Sequence, residues 1–189
     1  MEQIAIIFFA LASFFGVEGN HIAADKTTVT VSPQNQRIDI TQQDLFAIIR
    51  SDVDIPLVQQ QWTSIYTQSR HDTGWAKALT PFATKTLNLA AIDDNIQPQL
   101  TLTYSAEKDL RVMGIWYNAE KNQFSVNHVP RDNLQTTDGK LIGNYWVFDG
   151  DQPFSFTLEP FQALPEQYQK LKRPLNELLV DSQFLIDSQ

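Results

Sequence analysis

The chain has 189 residues, 42% of them hydrophobic and 11% aromatic, enough apolar material for one packed domain and too much for a disordered chain. Its net charge of -8, with no basic cluster denser than Lys170-Leu171-Lys172-Arg173, excludes nucleic acid as the expected partner. The absence of cysteine excludes disulfides, thiol nucleophiles and Cys-ligated zinc.

Residues 4–17 (IAIIFFALASFFGV) carry no charge. The run is short for the roughly twenty residues of a membrane-spanning helix and matches a signal-peptide h-region in length. Val17-Glu18-Gly19 offers a cleavage point after Gly19, although Met1-Glu2-Gln3 lacks the usual basic residue. A buried core helix is the competing reading. Apolar residues on every face favour a leader or anchor, because a soluble helix keeps one polar side. The expected division is therefore an apolar leader over residues 1–19, a signal peptide or anchor, followed by a single α+β domain over 20–189.

Residues 27–31 alternate with β-branched side chains, Ser32-Pro33-Gln34-Asn35 supplies a turn, and residues 37–40 alternate again, so the pattern predicts a hairpin over 27–40. Thr41 is an N-cap candidate for a helix with Leu45, Phe46, Ile48 and Ile49 on one side. Asp54 caps another, with Pro56 in its first turn and Val58, Trp62, Ile65 and Tyr66 as its apolar face. In that helix Gln59, Gln60 and Gln61 are expected to face outward. Arg70 to Gly74 ends it, and Pro81 opens a further helix to about Ile92, with Leu87, Ala90 and Ala91 inward.

From Gln99 the period becomes two. Leu100, Leu102 and Tyr104 alternate with polar residues, as do Phe124, Val126 and His128, then Phe154, Phe156 and Leu158. Residues 110–117 and 141–148 are apolar on both faces, which suits central strands, and the short connections imply antiparallel neighbours. The connection over 131–140, with Asp138-Gly139, reads as a projecting loop. Tyr168, Leu171, Leu175, Leu178 and Leu179 return to helical spacing, interrupted at Pro174, which either kinks one helix or starts a second. The tail Phe184-Leu185-Ile186 is expected to dock.

The expected fold is α+β: an N-terminal hairpin and helices packed on an antiparallel sheet of about five strands, closed by a C-terminal helix. A strand apolar on both faces implies a sheet with a second covered face. A helix-first, curved-sheet-last order is similar to ligand-binding folds of the NTF2-like kind, a likeness of element order that no residue motif carries.

The candidate sites are weak in kind. His21, His71 and His128 show no metal-ligand spacing, and His71-Asp72 is best read as turn chemistry. Asp93-Asp94-Asn95 and Asp149-Gly150-Asp151 lack the calcium-loop pattern and read as turns. There is no Gly-x-Ser-x-Gly elbow and no Gly-rich phosphate loop. Glu107, Asp109, Glu120 and Glu159 read as solvated strand ends. No metal or cofactor is expected.

The aromatic set Trp116, Tyr117, Tyr145, Trp146 and Phe148 is the most suggestive feature, since Trp and Tyr supply large contacts at little entropic cost. Trp116, Tyr145, Trp146 and His128 are the candidate ligand- or partner-binding residues. The leading function class is a non-catalytic binding or interaction protein, an inhibitor, immunity-type or accessory subunit, exported or associated with a membrane through residues 4–17. Its partner would be another protein or a small apolar ligand. The alternative is a small enzyme or ligand-binding protein with a pocket in a curved antiparallel sheet, using His128 or a nearby carboxylate as general base, with His128 expected beside an acid such as Asp149.

Overall fold

The computed structural model describes residues 10–17, 19–128 and 134–179. The fold is α+β, with two antiparallel sheets of seven and four strands and few helices. Strands β1 (Ala23–Ser32) and β2 (Arg37–Ile48) form the expected hairpin around a 3-10 turn at Pro33–Asn35, with longer arms than the alternation alone indicated.

The helix expected from Thr41 is absent, because residues 41–48 continue β2. That stretch is paired with β1 along one edge and, at Phe46–Ile48, with β11 (Lys172–Pro174) on the other. These ladders override a helical spacing of apolar residues. The two strands of the hairpin also turn over together. In β1 the buried positions pass from Ala24 to Thr27, Val29 and Val31, and in β2 from Ile38, Ile40 and Gln42 to Leu45 and Ala47. The change falls at Asp44, whose φ of 53° breaks the extended backbone.

Helix α1 (Asp54–His71) is as expected in extent, with Val58, Trp62 and Ile65 buried. The Asp54 carboxylate reaches back to accept the Arg50 and Ser51 amides at 2.8 and 3.2 Å, and the Arg50 bond in particular holds its pKa below the ordinary carboxylate value. Asp72, at φ 50°, ends the helix. Gln61 departs from expectation. It is 4% exposed, accepts the His21 and Ile22 amides at 3.0 and 3.1 Å, and donates to the Gly19 carbonyl at 3.0 Å.

Gln61 thereby ties down the segment that leads out of the apolar N-terminal run. The described part of that run is core. Leu11–Phe14 form a 3-10 turn, and Leu11, Ala12, Phe14 and Phe15 are all buried. Phe15 stacks on Trp75 with ring centroids 4.9 Å apart, and Ala10 bridges Ala23. Cleavage after Gly19 would take these side chains out of the core.

The helix expected from Pro81 is replaced by a hairpin of β3 (Thr84–Ile92) and β4 (Asn95–Thr103). Ile92 pairs with Asn95, leaving Asp93 and Asp94 as a two-residue turn with φ of 50° and 63°. Two positive φ values in succession are what a hairpin of right-handed twist requires. Pro98 lies within β4 just beyond the last residue pair with β2, Thr41 and Gln99, where no ladder amide is needed from it.

The large sheet runs β3-β4-β2-β1-β10-β7, where β10 is Phe154–Leu158 and β7 is Leu134–Gln135. Its inner face carries Val29, Val31, Ile38, Ile40, Leu100, Leu102, Phe154, Phe156 and Leu158, all buried. The outer face is hydroxyl-rich instead of apolar: Thr28 faces Thr157, Thr30 bonds Ser155 at 2.8 Å, and Thr84 bonds Thr103 at 2.7 Å. Over this part of the sheet one face is buried and one solvated, the usual arrangement of an antiparallel sheet, whereas at the end of β2 the consecutive residues Leu45, Phe46 and Ala47 are all buried and both faces are covered.

Both runs read as central strands divide. Glu107–Met113 is a 3-10 helix leading into the edge strand β5 (Ile115–Asn118). Residues 141–148 are split by a turn between β8 (Lys140–Ile142) and β9 (Tyr145–Asp149). With β6 (Gln123–Asn127) these make the small sheet, in the order β5-β6-β9-β8. The short link from β9 to β10 crosses between sheets, so these neighbours are not paired as their spacing suggested. Phe148 stacks on Phe154 at 4.2 Å and Phe124 lies 5.4 Å from Phe154, joining the two sheets through aromatic side chains.

Of the projecting loop expected over 131–140, residues 131–133 lie outside the described residues, and β7 follows them, paired with β10. The C-terminal stripe is broken into α2 (Glu166–Gln169), β11 and α3 (Leu175–Leu179), with Pro174 the last residue of β11, immediately before α3. Phe184, Leu185 and Ile186 lie outside the described residues. No helix among the described residues is long and apolar enough to cross a membrane.

Candidate functional site

The four residues singled out in the sequence all fall on the small sheet, on two faces. Its turns fix their positions. At one end Tyr117 donates to Asn122 Oδ1 at 2.8 Å, and the Gly150 amide donates to the Asn122 carbonyl at 2.9 Å. Gly150 is required there, because a Cβ would sit 2.6 Å from that carbonyl oxygen. At the other end Ile142 pairs with Tyr145, so Gly143 and Asn144 form a two-residue turn with Gly143 at φ 60°.

Trp146 and His128 come together. Trp146 stands opposite Val126 and Leu141 on the inward face, and its indole N–H donates to His128 Nδ1 at 3.2 Å, the rings meeting edge to face. His128 in turn donates its backbone amide to the Asn144 carbonyl at 2.8 Å, extending the β6–β9 ladder to the hairpin turn. A ring nitrogen that accepts an N–H carries no proton, so the neutral imidazole is the Nε2–H tautomer.

Tyr145 and Trp116 lie on the opposite, outward face. Trp116 faces Ser125, which faces Val147, which faces Lys140 across the four strands, and Asn127, Tyr145 and Ile142 form the next row. The Arg111 guanidinium covers the Trp116 ring at 5.3 Å, a cation–π contact that leaves the indole half-buried. The outward face at the hairpin is different in character. Ile142 is 59% exposed and Tyr145 47%, while Leu141, on the other face of the edge strand opposite Trp146, is 48% exposed. Leu141 and Ile142 were not singled out in the sequence. The Gly143-Asn144 dipeptide was the available signal, since it marks a two-residue hairpin whose flanking residues stand at a tip.

The acid–base arrangement considered for His128 and Asp149 does not assemble. His128 is level with Asn144, whereas Asp149 pairs with Gln123 at the far end of β9. Five residues of strand separate the two, roughly 16 Å. Asp149 accepts the Asp151 amide at 2.8 Å in its turn. Asp109 accepts the Ser105 and Ala106 amides at 3.1 and 3.0 Å, and Glu159 accepts from Gln162. Among the described residues no group of three or more His, Asp or Glu side chains is placed to hold a metal ion.

A second feature lies on the large sheet, away from this hairpin. A cleft of about 310 Å³ opens between the start of β1, the end of β2 and the segment after β10, lined by Ala23, Phe46, Ala47, Ile48, Phe161 and Leu164, with His21 and Arg50 at its rim. No protein-family model, curated protein or solved structure matches this chain.

Proposed function

We propose that the chain is a non-catalytic interaction protein, an inhibitor, immunity-type or accessory subunit, that presents the β8–β9 hairpin to a protein partner. The observation that carries this reading is the exposed pair Ile142 and Tyr145, directly opposite each other on the outward face of a short edge hairpin. Two large side chains paired on one face forgo part of a burial worth about 1.5–3 kcal/mol each, and adjacent exposure of this kind marks contact surfaces. The Trp146–His128–Asn144 connection backs the hairpin from the inward side, so the tip is held rigid and little ordering is needed on contact. Lys140 and the three-residue length of β8 limit indiscriminate edge pairing, which leaves side-chain contact as the mode of recognition.

We place this activity outside the cytoplasm or at a membrane, on the strength of the apolar run over residues 4–17. The burial of Leu11, Ala12, Phe14 and Phe15 favours an uncleaved segment over cleavage after Gly19. The test is quantitative co-purification from source cells of the wild type and of the double variant Ile142→Asp/Tyr145→Ser. A discrete stoichiometric partner lost from the variant, with unchanged unfolding, supports the reading. Identical co-purification profiles, or no stoichiometric partner with either chain, contradict it.

A further inference from the structure

We infer that the cleft between the start of β1 and the Phe161–Leu164 segment is a binding site for a medium-chain amphipathic carboxylate, its tail among Phe46, Phe161 and Leu164 and its head group at Arg50. Apart from Asn20, next to His21, the walls are apolar and come from three separate parts of the chain: Ala10 and Ala23, then Phe46, Ala47 and Ile48, then Phe161 and Leu164. Phe46 and Phe161 meet edge to face at 5.2 Å and form the floor. A volume of about 310 Å³ is at the small end of ligand sites, which selects a medium-length tail over a long one.

The rim fixes the polarity of the head group. Arg50 and His21 both border the cleft, and both are exposed. The guanidinium is a fixed cation with a fork that matches a carboxylate. Asp54, the acid near both of these residues, accepts the Arg50 and Ser51 backbone amides through Oδ2, and its charge tempers the Arg50 cation that a bound carboxylate would meet. In a chain of net charge -8, an apolar cleft with a cationic mouth discriminates in favour of an anion with an apolar tail.

The site is separate from the β8–β9 hairpin, so failure of either proposal leaves the other standing. Isothermal calorimetry of the full chain with decanoate, and with decanol as the neutral counterpart, tests it. The expected result is one decanoate per chain, bound more tightly than decanol. Arg50→Gln should weaken decanoate about tenfold and leave decanol within about twofold. Leu164→Trp, which fills the cleft from its half-buried wall, should abolish both, with the unfolding midpoint retained. Absence of decanoate binding, equal affinity for the two probes, many molecules bound per chain, or an Arg50→Gln affinity equal to wild type would each overturn the inference.

Discussion

The Trp146 indole N–H donates to His128 Nδ1 at 3.2 Å, and this bond decides what the histidine can do. It orients the ring against β9 and ties the residue after β6 to the hairpin strand beside the Gly143-Asn144 turn. A histidine held in this way serves as a rigid support, and its lone pair at Nδ1 is spent on the indole. Imidazole nitrogen shifts at neutral pH should show Nδ1 unprotonated and Nε2 protonated in the wild type. Trp146→Phe should give a tautomer mixture and lose about 1 kcal/mol of stability beyond the change in burial. A wild-type His128 with Nδ1 protonated would contradict the geometry.

Gln61 is the polar side chain on which the N-terminal segment depends. Its amide serves two buried or part-buried backbone N–H groups and one carbonyl. Gln61→Ala leaves the Ile22 amide buried without its acceptor, and the expected loss is about 2–3 kcal/mol, read from the urea midpoint. Gln61→Glu keeps the acceptor but not the donor to Gly19, so it should fall between. A loss below about 0.5 kcal/mol for Gln61→Ala would show that the segment is held by its apolar packing alone.

The turn between β3 and β4 is built from two aspartates at positive φ, a conformation costly for residues with a Cβ and made worse by adjacent like charges. Asp94→Gly, at φ 63°, removes the strain at one of the two positions together with the adjacent like charge. The expected outcome is a gain of about 1 kcal/mol in thermal or urea unfolding. A destabilised variant would mean that this turn is not as described.

Tyr104 is buried, its hydroxyl has no hydrogen-bond partner among the described residues, and burial followed by the nearby Glu107 charge pushes its pKa up to about 12. The unfolded chain ionises near the ordinary value of 10, so the folded state resists ionisation that the unfolded state accepts. The contribution is intact below pH 10 and is lost as pH rises from 10 toward 12. Ultraviolet titration should find one tyrosine of the five ionising after the others. Tyr104→Phe should flatten the alkaline loss and be neutral or stabilising at pH 7, since it removes an unpaired buried hydroxyl. A Tyr104→Phe chain with the wild-type alkaline profile would count against this assignment.

What the sequence made legible was local and periodic. The β1–β2 turn, the apolar stripe of α1 and the alternation of Leu100, Leu102, Phe154 and Phe156 all read correctly because their environments obey a single period. Residues 41–48 and 84–92 were misread as helical. Their apolar spacing fits a helix as well as a strand, and the deciding factor is pairing with β11 and β4, partners distant or ambiguous in sequence. The split of residues 141–148 was carried by Gly143-Asn144, a signal weaker than the apolar run around it. The four candidate residues do share one sheet, but the sequence could not show which of its two faces, Trp146's or Tyr145's, is turned to the core. Nor could it show that Arg50 and Phe161 border one cleft.

The central claim is that the β8–β9 hairpin is a contact surface for a protein partner. Its most direct test is photo-crosslinking in source cells from a photoreactive phenylalanine placed at Tyr145, with the same group at Ile92 on the large sheet as the exposed control. The account predicts a discrete adduct of one partner from position 145, absent from position 92 and lost when Ile142→Asp is added. No adduct from position 145, or the same adducts from both positions, would contradict it.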